Sequence, residues 1–406
     1  MQDAGRSKEE VTGVGAGRLR LSKYDCFLVP FVMDGTVAAS VIVVNLYAQD
    51  LGATPFLLGL LGTTWGLSYG LMAAAAGRLA DCWPRRGLLL AGIGLFALST
   101  WAYQWCTLPL QLVAIATLAG GGTALFWPTF ETLLYGEAGA ESTRQRMGWF
   151  NLGWTLGYSS GWAVSGFLKE WGTAYALNTL AVVAGLNFLY VAGRTRGGLP
   201  PARSEVGPLP QEAMKVPPQV RRAFLYAAWA ANFTLWFSGG AVGQLFPKLG
   251  RARLFPDRTI GLLLSLVLLS QAGTFLLLAR SSWWQYRWAP LLGLQGVSGL
   301  GLLGLVFSGT GTGLGLSLLL LGLGRGMSYS ASLYYGLAAP EARGANSGVH
   351  ETMVGLAYTT GPFLGGLAAQ HFSLRAPFAL SAAVVGMGMA VEGFILLTSR
   401  RAIYRR

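Results

Sequence analysis

Gly157–Tyr158–Ser159–Ser160–Gly161 returns two hundred positions later as Ala357–Tyr358–Thr359–Thr360–Gly361. The same register holds around it. LLYGEA at 133–138 is answered by LYYGLA at 333–338, Gly148 by Gly348 and Gly166 by Gly366. With a two-residue shift, Arg78 and Arg85 fall on Arg280 and Arg287. The chain therefore reads as two parallel copies of one unit. In a hydrophobic chain such halves enclose a substrate site and move by rocking against each other.

Composition says that the chain is hydrophobic. Of its 406 residues, 53% are hydrophobic and 12% charged, and the mean hydropathy is +0.47. A soluble domain carries about 25% charged residues. The 58 glycines suit helices packed closely in lipid. Cys26, Cys82 and Cys106 are too few and too scattered for a disulfide framework, and no Cys/His spacing suggests a metal site. Residues 1–23 are polar and basic, and the first apolar run is long enough to span, so no cleavable signal peptide is expected.

A span needs about 20 mainly apolar residues. That rule places twelve helices at 24–48, 55–77, 87–106, 109–135, 147–168, 173–193, 223–246, 258–279, 287–308, 311–337, 345–369 and 374–398. The one long polar interruption, 194–222, contains RTRGGLPPARSEVGPLPQ and ends PPQVRR. Its prolines and charges read as a linker. Three parts follow: a six-helix bundle at 1–193, a cytoplasmic linker at 194–222 and a second six-helix bundle at 223–406. With both termini cytoplasmic, 23 of the 30 Lys and Arg lie inside, as the positive-inside rule requires. Lys169, Lys248, Arg251, Arg253, Arg258 and Arg375 fall outside, and Arg325 falls within a span. The cluster at 248–258 is the weak point of this topology. The net charge of +13 is spread over short loops, so it follows from topology and does not point to nucleic acid.

The loop between the second and third spans reads Gly77–Arg–Leu–Ala–Asp81–Cys–Trp–Pro–Arg85–Arg86. It resembles the signature loop of the major facilitator superfamily: glycine, three residues, aspartate, then a basic pair. Pro84 stands where the family has a second glycine. The resemblance extends over the whole chain, through twelve spans, two halves, a long central loop and a degenerate second copy at Arg280…Arg287. It implies an all-α membrane protein of the superfamily fold, with two pseudo-symmetric six-helix halves. It also implies a conformational latch in which Gly77 admits close helix approach and Asp81 pairs with Arg85 or Arg86. The bland alternative is a plain positive-inside loop. Gly148, Gly157, Gly161 and Gly166 reproduce the glycine spacing of the superfamily's antiporter motif, but Trp162 replaces its proline. Close helix packing explains those glycines equally well.

Ionisable residues within spans are functional candidates. Asp34 and Arg325 lie mid-depth in the first and tenth spans. The resemblance implies that both face a central cavity, where they pair, bind a charged substrate, or form a static ion pair. Glu131 lies a turn from the cytoplasmic end of the fourth span, and His350 and Glu351 open the eleventh. A carboxylate in a partly dry site holds its proton to higher pH, and histidine titrates near neutrality. These three are the proton-coupling candidates, against the alternative that the carboxylates snorkel. Glu392 is expected to snorkel at a helix end. Trp127, Trp236, Asn151 and Asn232 are further substrate-binding candidates, Asn151 being the repeat counterpart of Glu351.

No GxxxxGK[ST] loop occurs, so ATP-driven transport is not expected. No Ser/His/Asp or HExxH arrangement occurs either, and neither an enzyme activity nor a cofactor is expected. The function expected is secondary transport of a small organic or drug-like solute by alternating access, coupled to protons. The alternatives are an uptake uniporter or symporter for sugars or metabolites, and a transport-inactive receptor or assembly protein of the same fold. The partners expected are a small-molecule substrate, protons and lipid, with the chain monomeric in the plasma or inner membrane.

Overall fold

The computed structural model describes residues 22–134, 140–196, 211–337 and 343–404. The first half contains α1 (Lys23–Asp50), α2 (Pro55–Cys82), α3 (Arg85–Ala102), α4 (Pro109–Leu134), α5 (Ala140–Glu170) and α6 (Thr173–Arg194). A short α7 (Gln211–Met214) follows. The second half contains α8 (Pro218–Ala252), α9 (Asp257–Ala279), α10 (Trp288–Phe307), α11 (Gly311–Leu337), α12 (Arg343–His371) and α13 (Ala376–Tyr404).

The local chemistry explains the boundaries. Ser22 and Asp25 form a capping box at the start of α1, which satisfies backbone N–H groups that have no partner in the helix. Gly52, at φ +83°, turns the chain after α1 in a conformation that disfavours other residues. Thr54 then accepts from Leu57 N–H, with Pro55 at the first helical position.

Several helices run beyond the apolar stretches that announce them. α5 starts at Ala140, not 147, and α13 continues to Tyr404, not 398. α8 has 35 residues, longer than the ~30 Å hydrocarbon layer requires at ~1.5 Å per residue. Hydropathy marks only the lipid-matched portion, while backbone hydrogen bonding carries each helix into its polar ends. Within the interval 194–222, the described residues 211–222 include a short helix, α7. Ala213 is buried and its carbonyl accepts from Arg221 Nη1 at 3.4 Å. Residues 197–210 lie outside the described ones.

Eight of the described helices are long and apolar enough to cross a membrane by length and composition. The other long ones, α5, α8, α11 and α12, are rich in glycine, with tryptophans in α5 and α8, and carry Asn151, Asn232, Arg325, His350 and Glu351. The same residues that serve the interior dilute the apolar signal.

Glycine sets the packing within and between the halves. A Cβ on Gly153, Gly157 or Gly161 of α5 would strike the α1 carbonyls of Phe27, Phe31 or Gly35. Gly361 of α12 meets the Phe237 carbonyl of α8 in the same way. The repeated motif is thus one helix-crossing site used twice. Two further crossings join the halves. Gly59, Gly62 and Gly66 of α2 lie against Gly366, Pro362 and Tyr358 of α12. Their counterparts are Gly166 on Asp257, and Gly261 on Trp162, between α5 and α9.

These crossings lie toward the end of the bundle remote from Lys23 and Tyr404. Ion pairs close that far end. Asp50 of α1 binds Arg251 of α8 and Lys169 of α5, each at 2.7 Å. Arg251 also holds Asp257 at 2.6 Å, and Glu170 meets Arg258 at 3.4 Å. Four of the basic residues that weaken the charge rule are therefore tied up: Lys169, Arg251 and Arg258 in ion pairs, and Lys248 on the Ala53 carbonyl. At the other end, Arg194 and Tyr190 of α6 bind Asp25 at 2.7 Å each, a staple within the first half.

Candidate functional site

A cavity of about 100 Å³ lies between the halves. Asp34 enters it from α1 and Glu131 from α4; Arg325 enters from α11 and Glu351 from α12. The mid-span charges avoid lipid, as expected: Asp34 is 4% exposed and Arg325 1%. Both line the cavity but form no ion pair with each other. The Trp127 indole faces the Asp34 carboxylate. The Arg325 guanidinium lies over the Trp236 ring, with Cζ 4.6 Å from its centroid. Its Nε and Nη1 are enclosed without a hydrogen-bond partner. Gly239 makes room for them, because a Cβ there would lie 2.6 Å from Nη1.

Nearer the helix ends on the terminal side, Tyr69 of α2 donates to Glu351 Oε2 at 3.4 Å. This contact crosses between the halves. His350 sits behind it, buried and in contact with Tyr329 at 4.9 Å between centroids. Its Nδ1 is 2.7 Å from Ser332 Oγ, and its Nε2 is 4.0 Å from Glu351 Oε1. His350 therefore borders Glu351 and does not itself line the cavity.

Trp127 and Trp236 line the cavity, as do Trp65 and Trp154. Asn151 and Asn232 do not. Asn151 borders a separate crevice of about 350 Å³ between α5, α9 and α11. Its side-chain oxygen accepts from the Trp154 indole at 3.1 Å. Asn232 is fully buried in α8, and neither of its side-chain polar atoms has a partner. Tyr158 and Tyr358, the centre of the repeated motif, both line the cavity. The repeat itself was the signal for them. Tyr69 and Tyr329 carried no such mark.

The residues named for the latch are only partly visible. Gly77 and Asp81 are described only as backbone of α2. Arg86 donates to Thr195 Oγ1 at 3.2 Å and to the Ala192 carbonyl at 3.3 Å, tying α3 to the end of α6 within its own half. Glu392 corrects an expectation. It does not snorkel but is fully buried, accepting from Gln295 Nε2 at 2.9 Å. α13 continues to Tyr404, so Glu392 stands well inside the helix and turns toward α8 and α10.

Among the described residues, twelve long helices in two halves around a shared cavity form the architecture that the signature loop implies. The Major Facilitator Superfamily profile matches residues 26–349. The chain belongs to the major facilitator superfamily. As a superfamily member it is a multi-pass membrane protein of a transporter family. An uncharacterized MFS-type transporter of Methanocaldococcus jannaschii is 25% identical over 128 residues, 32% of this chain and 33% of that one. The chain thus spans about a third of the length of the curated relative it matches. Solved structures share the fold more fully. The peptide transporter POT aligns with a TM-score of 0.73 at 12% identity, over 96% of this chain and 97% of that one. A bacterial homolog of the human lysosomal transporter Spinster, inward-facing and occupied, gives 0.68 at 14%, over 93% and 94%. The nucleoside transporter NupG gives 0.68 at 13%, over 92% and 99%. At such identities the likeness concerns the fold alone.

Proposed function

We propose that this superfamily member is a secondary transporter that moves a small organic solute by alternating access, with proton coupling. The observation that carries the reading is the set of mid-membrane charges. Asp34 and Arg325 are kept buried, in one cavity between two halves, without neutralising each other. A structural membrane protein gains nothing from groups that are expensive in lipid. The inter-half contacts concentrate at the far end, which suits a carrier closed on one side.

The roles follow from position. Asp34, Arg325, Trp127 and Trp236 contact the solute. Glu131 and Glu351, with His350 behind, exchange protons nearer the terminal side. The loop containing Gly77, Asp81, Arg85 and Arg86 latches the terminal side when that side closes. The positive-inside count supports a cytoplasmic location for both termini. On that reading the closed far end faces outward and the conformation is an inward-facing one.

The test has two stages. A metabolite and drug library is first screened for thermal stabilisation of the purified protein, since a ligand bound to the native state raises its stability. The hit is then offered to proteoliposomes under an imposed pH gradient, with an internal pH dye. Solute-dependent proton flux is expected, and Glu131→Gln and Glu351→Gln should each abolish it while leaving solute binding measurable. Solute uptake that ignores the gradient would overturn the coupling. A ligand that binds and never crosses would overturn the carrier reading.

A further inference from the structure

The cavity is lined by three acidic side chains and one basic one. Asp34, Glu131 and Glu351 reach it from α1, α4 and α12, against the single guanidinium of Arg325. Nor is Arg325 engaged with those acids. It packs on Trp236 and over Gly239, with two of its nitrogens shut away from any partner. Its guanidinium is therefore set against a ring face. Glu351 accepts from Tyr69 and Asp34 is faced by the Trp127 indole, but Arg325 neutralises none of the three acids.

The walls supply the second observation. Trp65, Tyr69, Trp127 and Trp154 line the cavity from the first half, and Trp236, Tyr329 and Tyr358 from the second. Many of these rings brace one another. Trp65 lies parallel to Tyr69 at 5.5 Å, and Trp236 meets Tyr358 edge-on at 5.2 Å. Rings held at fixed angles present electron-rich faces, which attract organic cations and accept flat apolar groups.

Resting on the reading of this cavity as the solute site, we infer that the solute is an amphipathic organic cation: an aromatic or otherwise apolar body bearing an ammonium or comparable positive group. The apolar body lies against the rings, and the positive group lies toward Asp34, Glu131 and Glu351. Arg325 acts on this ligand as a repulsive element, tempering affinity so that the solute can leave.

The experiment measures equilibrium binding to the full chain in lipid nanodiscs, at constant pH and low salt. It uses two pairs of probes with like shape and opposite charge: phenyltrimethylammonium with benzenesulfonate, and tetraphenylphosphonium with tetraphenylborate. In at least one pair the cation should stabilise the protein saturably and bind about tenfold tighter than its anion. Asp34→Asn and Glu131→Gln should each weaken the cation several-fold. Arg325→Gln should tighten it, a change that misfolding does not produce. Preference for the anion in either pair, failure of both cations to bind, or weaker cation binding in Arg325→Gln would overturn the inference. Because occupancy is read without transport, an anion preference faults the solute class and leaves the carrier reading intact. A cation that binds but does not cross in proteoliposomes faults the carrier reading alone.

Discussion

Asp34 and Arg325 show what a single residue can announce from sequence and what it cannot. Their cost in lipid marks both as interior, and both line the cavity. Whether they pair depends on angstroms, and they do not: Arg325 lies on Trp236 instead. A double-mutant cycle should therefore give a coupling below about 1 kcal/mol, because the groups share a cavity without touching. Breaking a direct buried pair would cost about 3–5 kcal/mol. Thermal unfolding of Asp34→Ala, Arg325→Ala and the double variant measures the coupling, and a value in that higher range would restore the pair. Asn151 was less legible for a related reason, which does not extend to Asn232, enclosed with neither polar atom partnered. An uncharged amide can be satisfied locally, as Asn151 is by Trp154, so its presence in a span does not force it toward a cavity. Glu392 was misjudged by distance from the end of the apolar run, when the helix itself continues to Tyr404.

At the scale of the helix, the apolar runs located the long elements and glycine located their crossings. The repeated Gly161 and Gly361 proved to be backbone contacts on α1 and α8. What no run of residues states is which helix of one half meets which of the other. α2 against α12 and α5 against α9 are products of the whole arrangement. The α2–α12 crossing is tight: a Cβ at Gly66 would lie 2.8 Å from the Tyr358 carbonyl carbon and oxygen. Backbone cannot yield as a side-chain tip can, so Gly66→Leu should prop the two helices apart. Thr63, one turn away, donates to the Thr359 carbonyl at 3.1 Å, which supplies the reporter. With Thr63→Cys and Thr359→Cys in place, oxidative cross-linking should be efficient in the parent and fall several-fold when Gly66→Leu is added. Unchanged cross-linking would mean that this crossing does not hold the far end closed.

For the molecule as a whole, the basic residues away from the termini carry the argument. On charge alone, Lys169, Arg251 and Arg258 blur the topology. In the structure they clasp the far end, with Arg251 bound to both Asp50 and Asp257. Their positive charge is matched by carboxylates, so it competes less with the inside bias. A half-exposed ion pair contributes about 0–1 kcal/mol, and a network somewhat more. Even about 1.4 kcal/mol changes a two-state ratio tenfold. Arg251→Gln removes the contact to Asp50 across the halves and the one to Asp257 within the second half. It should shift the population toward the state open at the far end without unfolding the protein. The reporter is a single cysteine at Trp171 or Leu254, both exposed beside the clasp, treated in intact cells with a membrane-impermeant maleimide. If the far end faces outward, both positions label and a cysteine at residue 203, in the linker, does not. Labelling at 203 alone would invert the topology. A further cysteine at Ser159, buried and donating to the Ser265 carbonyl at 3.2 Å, then reads the opening. It should be protected in the parent and label faster once Arg251→Gln is present. Equal rates would show that helix packing, rather than the ion clasp, sets the balance between the two sides.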